Sequence, residues 1–155
     1  MFCLLALITN CAEDPELLSD EEQLQIDLEI IDAWLIANNR AALKDSSGLR
    51  YAITTMGSGA KPKLTNKVSV KYRGKFLKEG VFAANSVVFD QATTAVTFNL
   101  SQLIQGWQIG FQLLPKGSKA TLYIPSGLAY GKNGAGNSIP PNANLFFDVE
   151  LVDVK

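Results

Sequence analysis

The chain has 155 residues, 47% of them hydrophobic, with 15 acids against 14 basic residues and no histidine. That length and composition fit one globular domain with an appendage, and the missing histidine excludes a Ser-His-Asp or Cys-His centre, a histidine metal site and a histidine pH switch. Both cysteines, Cys3 and Cys11, fall in the first dozen residues, where they offer neither a zinc cluster nor a disulfide across a core, so no metal and no cofactor are expected.

Residues 1–11, MFCLLALITNC, read as a signal remnant. The apolar core FCLLALI has the length of an export signal and is far below the ~20 residues needed to span a bilayer as a helix. ITNC resembles a lipobox, with Ile8 at the aliphatic position and Cys11 as the lipid acceptor. A lipid there tethers a protein to a membrane without spanning it.

Residues 12–46 read as an acidic helical arm and linker. Nine acids and no Lys or Arg precede Arg40. Ser19, followed three residues later by Glu22, forms a capping box, and Leu24, Leu28, Ile31 and Leu35 recur at helical spacing. Ile26, Ile30, Trp34 and Ala37 widen the apolar surface, so this helix must bury against a partner: the following domain, a second copy in a homodimer, or a client chain.

From residue 47 to 155 the pattern changes to strands. KDSSG is a turn, LRYAITTMG a first strand, and NKVSVKYRGKFL a second with Val68, Val70 and Tyr72 on one face. VVFD, AVTFNL, KATLYI and NLFFDVELVDV continue the series, and SQLIQGWQIGFQLL carries a helical period at Leu103, Ile104, Trp107 and Phe111. The expected fold is α+β: a twisted antiparallel sheet of four to six strands around one short helix, preceded by the helical arm. The basic stretch from Lys61 to Lys78 reads as a solvated face, since no aromatic stacking platform or recognition motif accompanies it, and no nucleic-acid partner is expected.

VSVKYRG, the pair Phe89-Asp90, LIQGWQIGFQLLPKGSKATLYIP, LAYG, SIPP and NLFFDVEL, in that order, resemble an FKBP-type peptidyl-prolyl isomerase domain. An arm following a lipobox is similar to the arms of exported bacterial members. The resemblance implies rotation of X-Pro bonds in proline-containing polypeptides, macrolides as inhibitors, and a place in the bacterial envelope as a periplasmic or outer-membrane lipoprotein. Such rotation crosses a barrier of roughly 18–20 kcal/mol as the amide loses its resonance, and needs no nucleophile. An apolar pocket that binds the twisted, less polar amide better than the planar one suffices.

By the resemblance, Trp107 is the floor under the proline ring, Tyr72, Phe89, Ile104 and Phe147 are walls, and Leu103 and Val96 complete the rim. Tyr130 donates its hydroxyl to a ligand carbonyl, Asp90 orients the amide at the pocket's edge, and Ile139 gives an apolar contact from the loop GKNGAGNSIPP that arches over the site. Phe82 and Phe89 both lie where the family has one Phe-Asp phenylalanine; Phe89 is preferred because it alone keeps the acid. A different class of function stays open, a proline-segment binder or holdase chaperone with the arm as its client surface.

Overall fold

The computed structural model describes residues 18–76 and 87–155. Helix α1 (Asp20–Ala37) starts at the capping box: Ser19 Oγ accepts from the Glu22 backbone N–H at 3.2 Å, and Glu22 Oε2 accepts from the Ser19 N–H at 2.9 Å. Each bond satisfies a donor that the chain entering a helix would otherwise leave unpaired.

The strands that follow are β1 (Leu43–Lys44), β2 (Arg50–Thr55), β3 (Lys67–Phe76), β4 (Val87–Asn99), β5 (Lys119–Ile124) and β6 (Leu145–Val154), with helix α2 (Gln105–Leu113) between β4 and β5. Among the described residues they form one antiparallel sheet in the order β1-β2-β5-β6-β3-β4. The expected α+β architecture is therefore present, with all six strands in a single sheet.

Two segments differ in detail from the sequence pattern. VVFD and AVTFNL are one strand, because QATT continues as β-structure through an irregularity that sets Val70 opposite Val96 and Tyr72 opposite Ala92. Two threonines suit an extended edge, and the extra residues are taken up as a bulge. The stretch before Leu114 is not one helix: a 3-10 turn (Leu100–Gln102) is separated from α2 by Leu103 and Ile104. The Gln108 side chain closes this break by donating to the Leu103 carbonyl at 2.6 Å.

The period-two alternation of β5 and β6 builds a core on each face of the sheet. Leu122, Ile124, Leu145, Phe147, Val149 and Leu151 turn toward α2 and pack with Trp107 and Phe111. Tyr123 and Phe146, one residue out of phase, turn the other way and meet Ile31, Leu35 and Trp34 of α1. The adjacent phenylalanines of NLFFDVEL thus serve opposite cores.

Of the three partners open to α1, the structure shows the chain's own sheet. Trp34 packs edge to face on Phe146 at 4.7 Å, and Arg50 Nε donates to Asp32 Oδ1 at 3.0 Å. β1 pairs with β2 through Leu43↔Tyr51 and Lys44↔Arg50, so the expected boundary at residue 47 falls in the turn between two strands of one sheet.

Candidate active site

α2 carries the centre of the site, and two glycines let it lie close on β5. A Cβ on Gly106 would strike the Ile124 side chain, and one on Gly110 would stand 2.8 Å from Leu122 Cδ1. With the helix seated this deeply, Trp107 is 5% exposed, and its ring meets Tyr72 at 5.2 Å, Phe111 at 5.2 Å and Phe147 at 5.0 Å, all edge to face. Such geometry sets positive ring edges against negative faces. The Trp107 Nε1 is buried and makes no hydrogen bond among the described residues.

Over the indole opens a cavity of about 310 Å³, a volume within the range of small-ligand sites. Its walls are Tyr72, Phe89, Phe98 and Phe147, with Leu103 and Ile104 from the break before α2. Gly74 makes room for two of these rings: a Cβ there would lie 2.6 Å from Phe147 Cε1 and 2.8 Å from Phe89 Cζ. Phe89 and Phe147 then meet edge to face at 5.5 Å across β3.

The polar groups lie at the cavity's edge. Tyr72 Oη donates to Asp90 Oδ2 at 2.7 Å. Burial, and then the bond to Asp90, push the Tyr72 phenol up to about 12, so it stays protonated at neutral pH. Tyr130, 41% exposed, stands on the wall formed by the loop after the 3-10 turn Ser126–Leu128.

The profile described as FKBP-type peptidyl-prolyl cis-trans isomerase matches residues 48–152. The chain belongs to this family.

Its relatives are bacterial in several cases. The FKBP-type chain is 46% identical over 112 residues to a probable FKBP-type peptidyl-prolyl cis-trans isomerase FkpA of Neisseria meningitidis serogroup B, which covers 70% of this chain and 39% of that protein. It is 48% identical over 119 residues to FkpA of Aeromonas hydrophila, covering 77% and 42%, and 38% identical over 126 residues to the outer membrane protein MIP of Legionella longbeachae, covering 80% and 52%. The matched part is thus about two fifths of the length of the two FkpA proteins. Among solved structures, a peptidyl-prolyl cis-trans isomerase of Pseudomonas syringae superposes with a TM-score of 0.71 at 31% identity, covering 84% of this chain and 95% of the other. FkpA from Escherichia coli gives 0.68 at 32% identity, covering 89% and 74%.

The cavity of this FKBP-type chain brings together Tyr72, Phe89, Asp90, Leu103, Ile104, Trp107, Tyr130 and Phe147, eight of the ten residues expected to form the pocket. Two expected members stand elsewhere. Val96 is 38% exposed on the edge strand and does not line the cavity. The longer Phe98 side chain takes the rim instead, reaching the Trp107 ring at 6.2 Å and the Tyr72 ring at 6.3 Å. Ile139 is 5% exposed in the core, because paired bonds between the Ala135 and Ile139 backbones fold the loop tip back on itself.

Phe98 and Gln102 line the cavity without having been singled out in the sequence. Phe98 carried a signal, an aromatic in phase with Val96 on a strand pattern. Gln102, held by a 2.7 Å bond from Asn99 Nδ2, carried none. Phe82 and Cys11 lie outside the described residues.

Proposed function

We propose that this FKBP-type chain is a peptidyl-prolyl cis-trans isomerase that accelerates X-Pro rotation during the folding of exported proteins. The observation that carries this reading is the Trp107-floored apolar cavity with the Tyr72–Asp90 pair at its mouth. A proline ring on the indole, enclosed by Phe89, Phe98, Ile104 and Phe147, leaves water around the amide displaced. Removing water costs the planar, more dipolar amide more than the twisted one, which favours the transition state over the ground state. Leu103 closes the rim. The Tyr130 hydroxyl donates to a substrate carbonyl and holds the chain, while Asp90 orients the rotating amide.

The apolar volume equally suits the ring of a macrolide inhibitor, which would compete with the peptide. Export rests on the lipobox-like ITNC with Cys11 as acceptor, giving a lipid-tethered protein of the bacterial envelope; the name of one relative, outer membrane protein MIP, supports an envelope placement.

The test is the cis-to-trans rate of a short X-Pro peptide with the full chain, beside Asp90→Ala and Trp107→Phe. Acceleration by the wild type with a loss of about tenfold in each variant, equivalent to about 1.4 kcal/mol of transition-state stabilisation, is expected. A folded wild type without acceleration overturns the reading and leaves a proline-segment binder.

A further inference from the structure

Asp27 is a fully buried carboxylate on α1, far in sequence from every residue of the pocket. Its Oδ2 accepts from the Ser126 backbone N–H at 2.8 Å and from the Ser126 hydroxyl at 2.6 Å, and its Oδ1 accepts from Gln23 Nε2 at 2.9 Å. The same Ser126 N–H also points to Asn144 Oδ1 at 3.2 Å. Ser126 and Asn144 are themselves buried, at 1% and 3% exposure.

These residues mark the two ends of one loop. Ser126 opens the 3-10 turn that leads into Tyr130, and Asn144 directly precedes β6. The Ala129 N–H bonds the Ser126 carbonyl at 2.9 Å, and the Asn142 N–H bonds the Gly131 carbonyl at 2.9 Å, so order at the base passes to both sides of Tyr130. A buried carboxylate is costly unless its oxygens are satisfied, and here hydrogen bonds from the loop's base and from Gln23 do so. Removing the carboxylate takes the acceptor from the buried Ser126 hydroxyl and leaves its N–H only the longer bond to Asn144, with the asymmetric penalty of an orphaned buried group.

We propose that Asp27 is a positioning residue of the isomerase site: from the N-terminal helix, through Ser126, it holds the loop that carries Tyr130 at the height where its hydroxyl meets the substrate. The proposal rests on the isomerase reading for its kinetic part. It makes α1 part of the site's support, besides a cover for the outer face of the sheet.

Asp27→Leu keeps the branched shape with bulkier ends and removes every acceptor. Asp27→Asn keeps one acceptor for the Ser126 N–H and can donate to its hydroxyl. In full-length protein, Asp27→Leu is expected to lower kcat/KM on an X-Pro peptide about tenfold, chiefly through KM, with Asp27→Asn within about threefold of wild type. In a Tyr130→Phe background the same Asp27→Leu change is expected to cost no more than about twofold, because the two residues act through one group. Full additivity of the two losses, or a rate unchanged in Asp27→Leu, overturns the proposal.

Amide hydrogen exchange decides the positioning independently of activity. Ala129 and Asn142 should exchange about tenfold faster in Asp27→Leu while β3 keeps its protection; equal exchange at both sites overturns the proposal. If the wild type accelerates no peptide, the isomerase reading falls and the exchange result alone judges the latch. Ser126→Ala, which removes only the hydroxyl, gives the same exchange pattern in smaller degree if Asp27→Leu does not fold, and no change in it likewise overturns the proposal.

Discussion

The Tyr72 phenol and the Asp90 carboxylate are joined at 2.7 Å across β3 and β4, although the two residues are not register partners: Tyr72 faces Ala92, and Asp90 faces Gly74. The bond runs along the diagonal of the ladder, where a long aromatic side chain reaches a residue two positions away. It ties the wall of the cavity to the acid at its edge.

Alkaline pH should loosen that tie. The Tyr72 phenol is raised to about 12 by burial and by Asp90, from an ordinary value of 10.0. A folded state that holds the proton more tightly than the unfolded one is stabilised at lower pH, and that contribution is lost as pH rises from about 10 to about 12. In Tyr72→Phe this part of the alkaline loss should vanish, leaving a smaller fall for the raised Tyr123, whose shift comes chiefly from burial. Urea midpoints measured across that pH range for the two proteins check this; parallel profiles would contradict it.

The two glycines of α2 should differ in their tolerance of alanine. The methyl group in Gly106→Ala meets the Ile124 side chain on several sides, with Cδ1 at 2.8 Å, whereas in Gly110→Ala it meets the ends of the Leu122 side chain. Ile124 is β-branched and stiff at χ1, so it cannot swing aside as Leu122 can. Gly106→Ala is expected to destabilise by about 1–3 kcal/mol through overpacking, and Gly110→Ala by less, its cost offset by up to ~1 kcal/mol of helix propensity. Chemical unfolding of both variants decides the order.

Acid should weaken the seating of α1. The hydrogen bond from Arg50 holds the Asp32 carboxyl below its ordinary value, with Lys44 adding to the effect. A depressed folded pKa contributes stability above the unfolded value of 3.8 that is lost as pH falls through the folded one. Between about pH 5 and pH 2 the wild type should therefore lose more stability than Asp32→Asn, which has no carboxylate to protonate. Equal acid slopes for the two proteins would show that this contact contributes nothing.

The local features of the fold were legible where their cause is local. The Ser19–Glu22 box closes within one turn, so its residues alone specify where α1 starts. Phe89 and Asp90, preferred because that pair alone keeps the acid, both line the cavity, and Phe82 lies outside the described residues. Val96 and Phe98 share a phase on β4, and the rim position was decided by side-chain reach toward Trp107 and by the bulge opposite Tyr72. Ile139 looked like an apolar loop tip, but the backbone bridge to Ala135 folds it into the core.

The sequence by itself determined which side of each strand and helix is apolar, and it pointed to every aromatic of the pocket except Phe98, while its lack of histidine excludes histidine chemistry. Only the tertiary structure decided what covers each apolar face. An alternating strand such as LFFDVEL says that Phe146 and Phe147 face apart, yet whether α1, a second chain or a client covers Phe146 depends on contacts between residues more than a hundred positions apart. The Asp27–Ser126 bond, 99 residues apart, is of the same kind. Periodicity is written by neighbours along the chain, whereas burial partners are selected by the closure of long loops, and no local pattern encodes that choice.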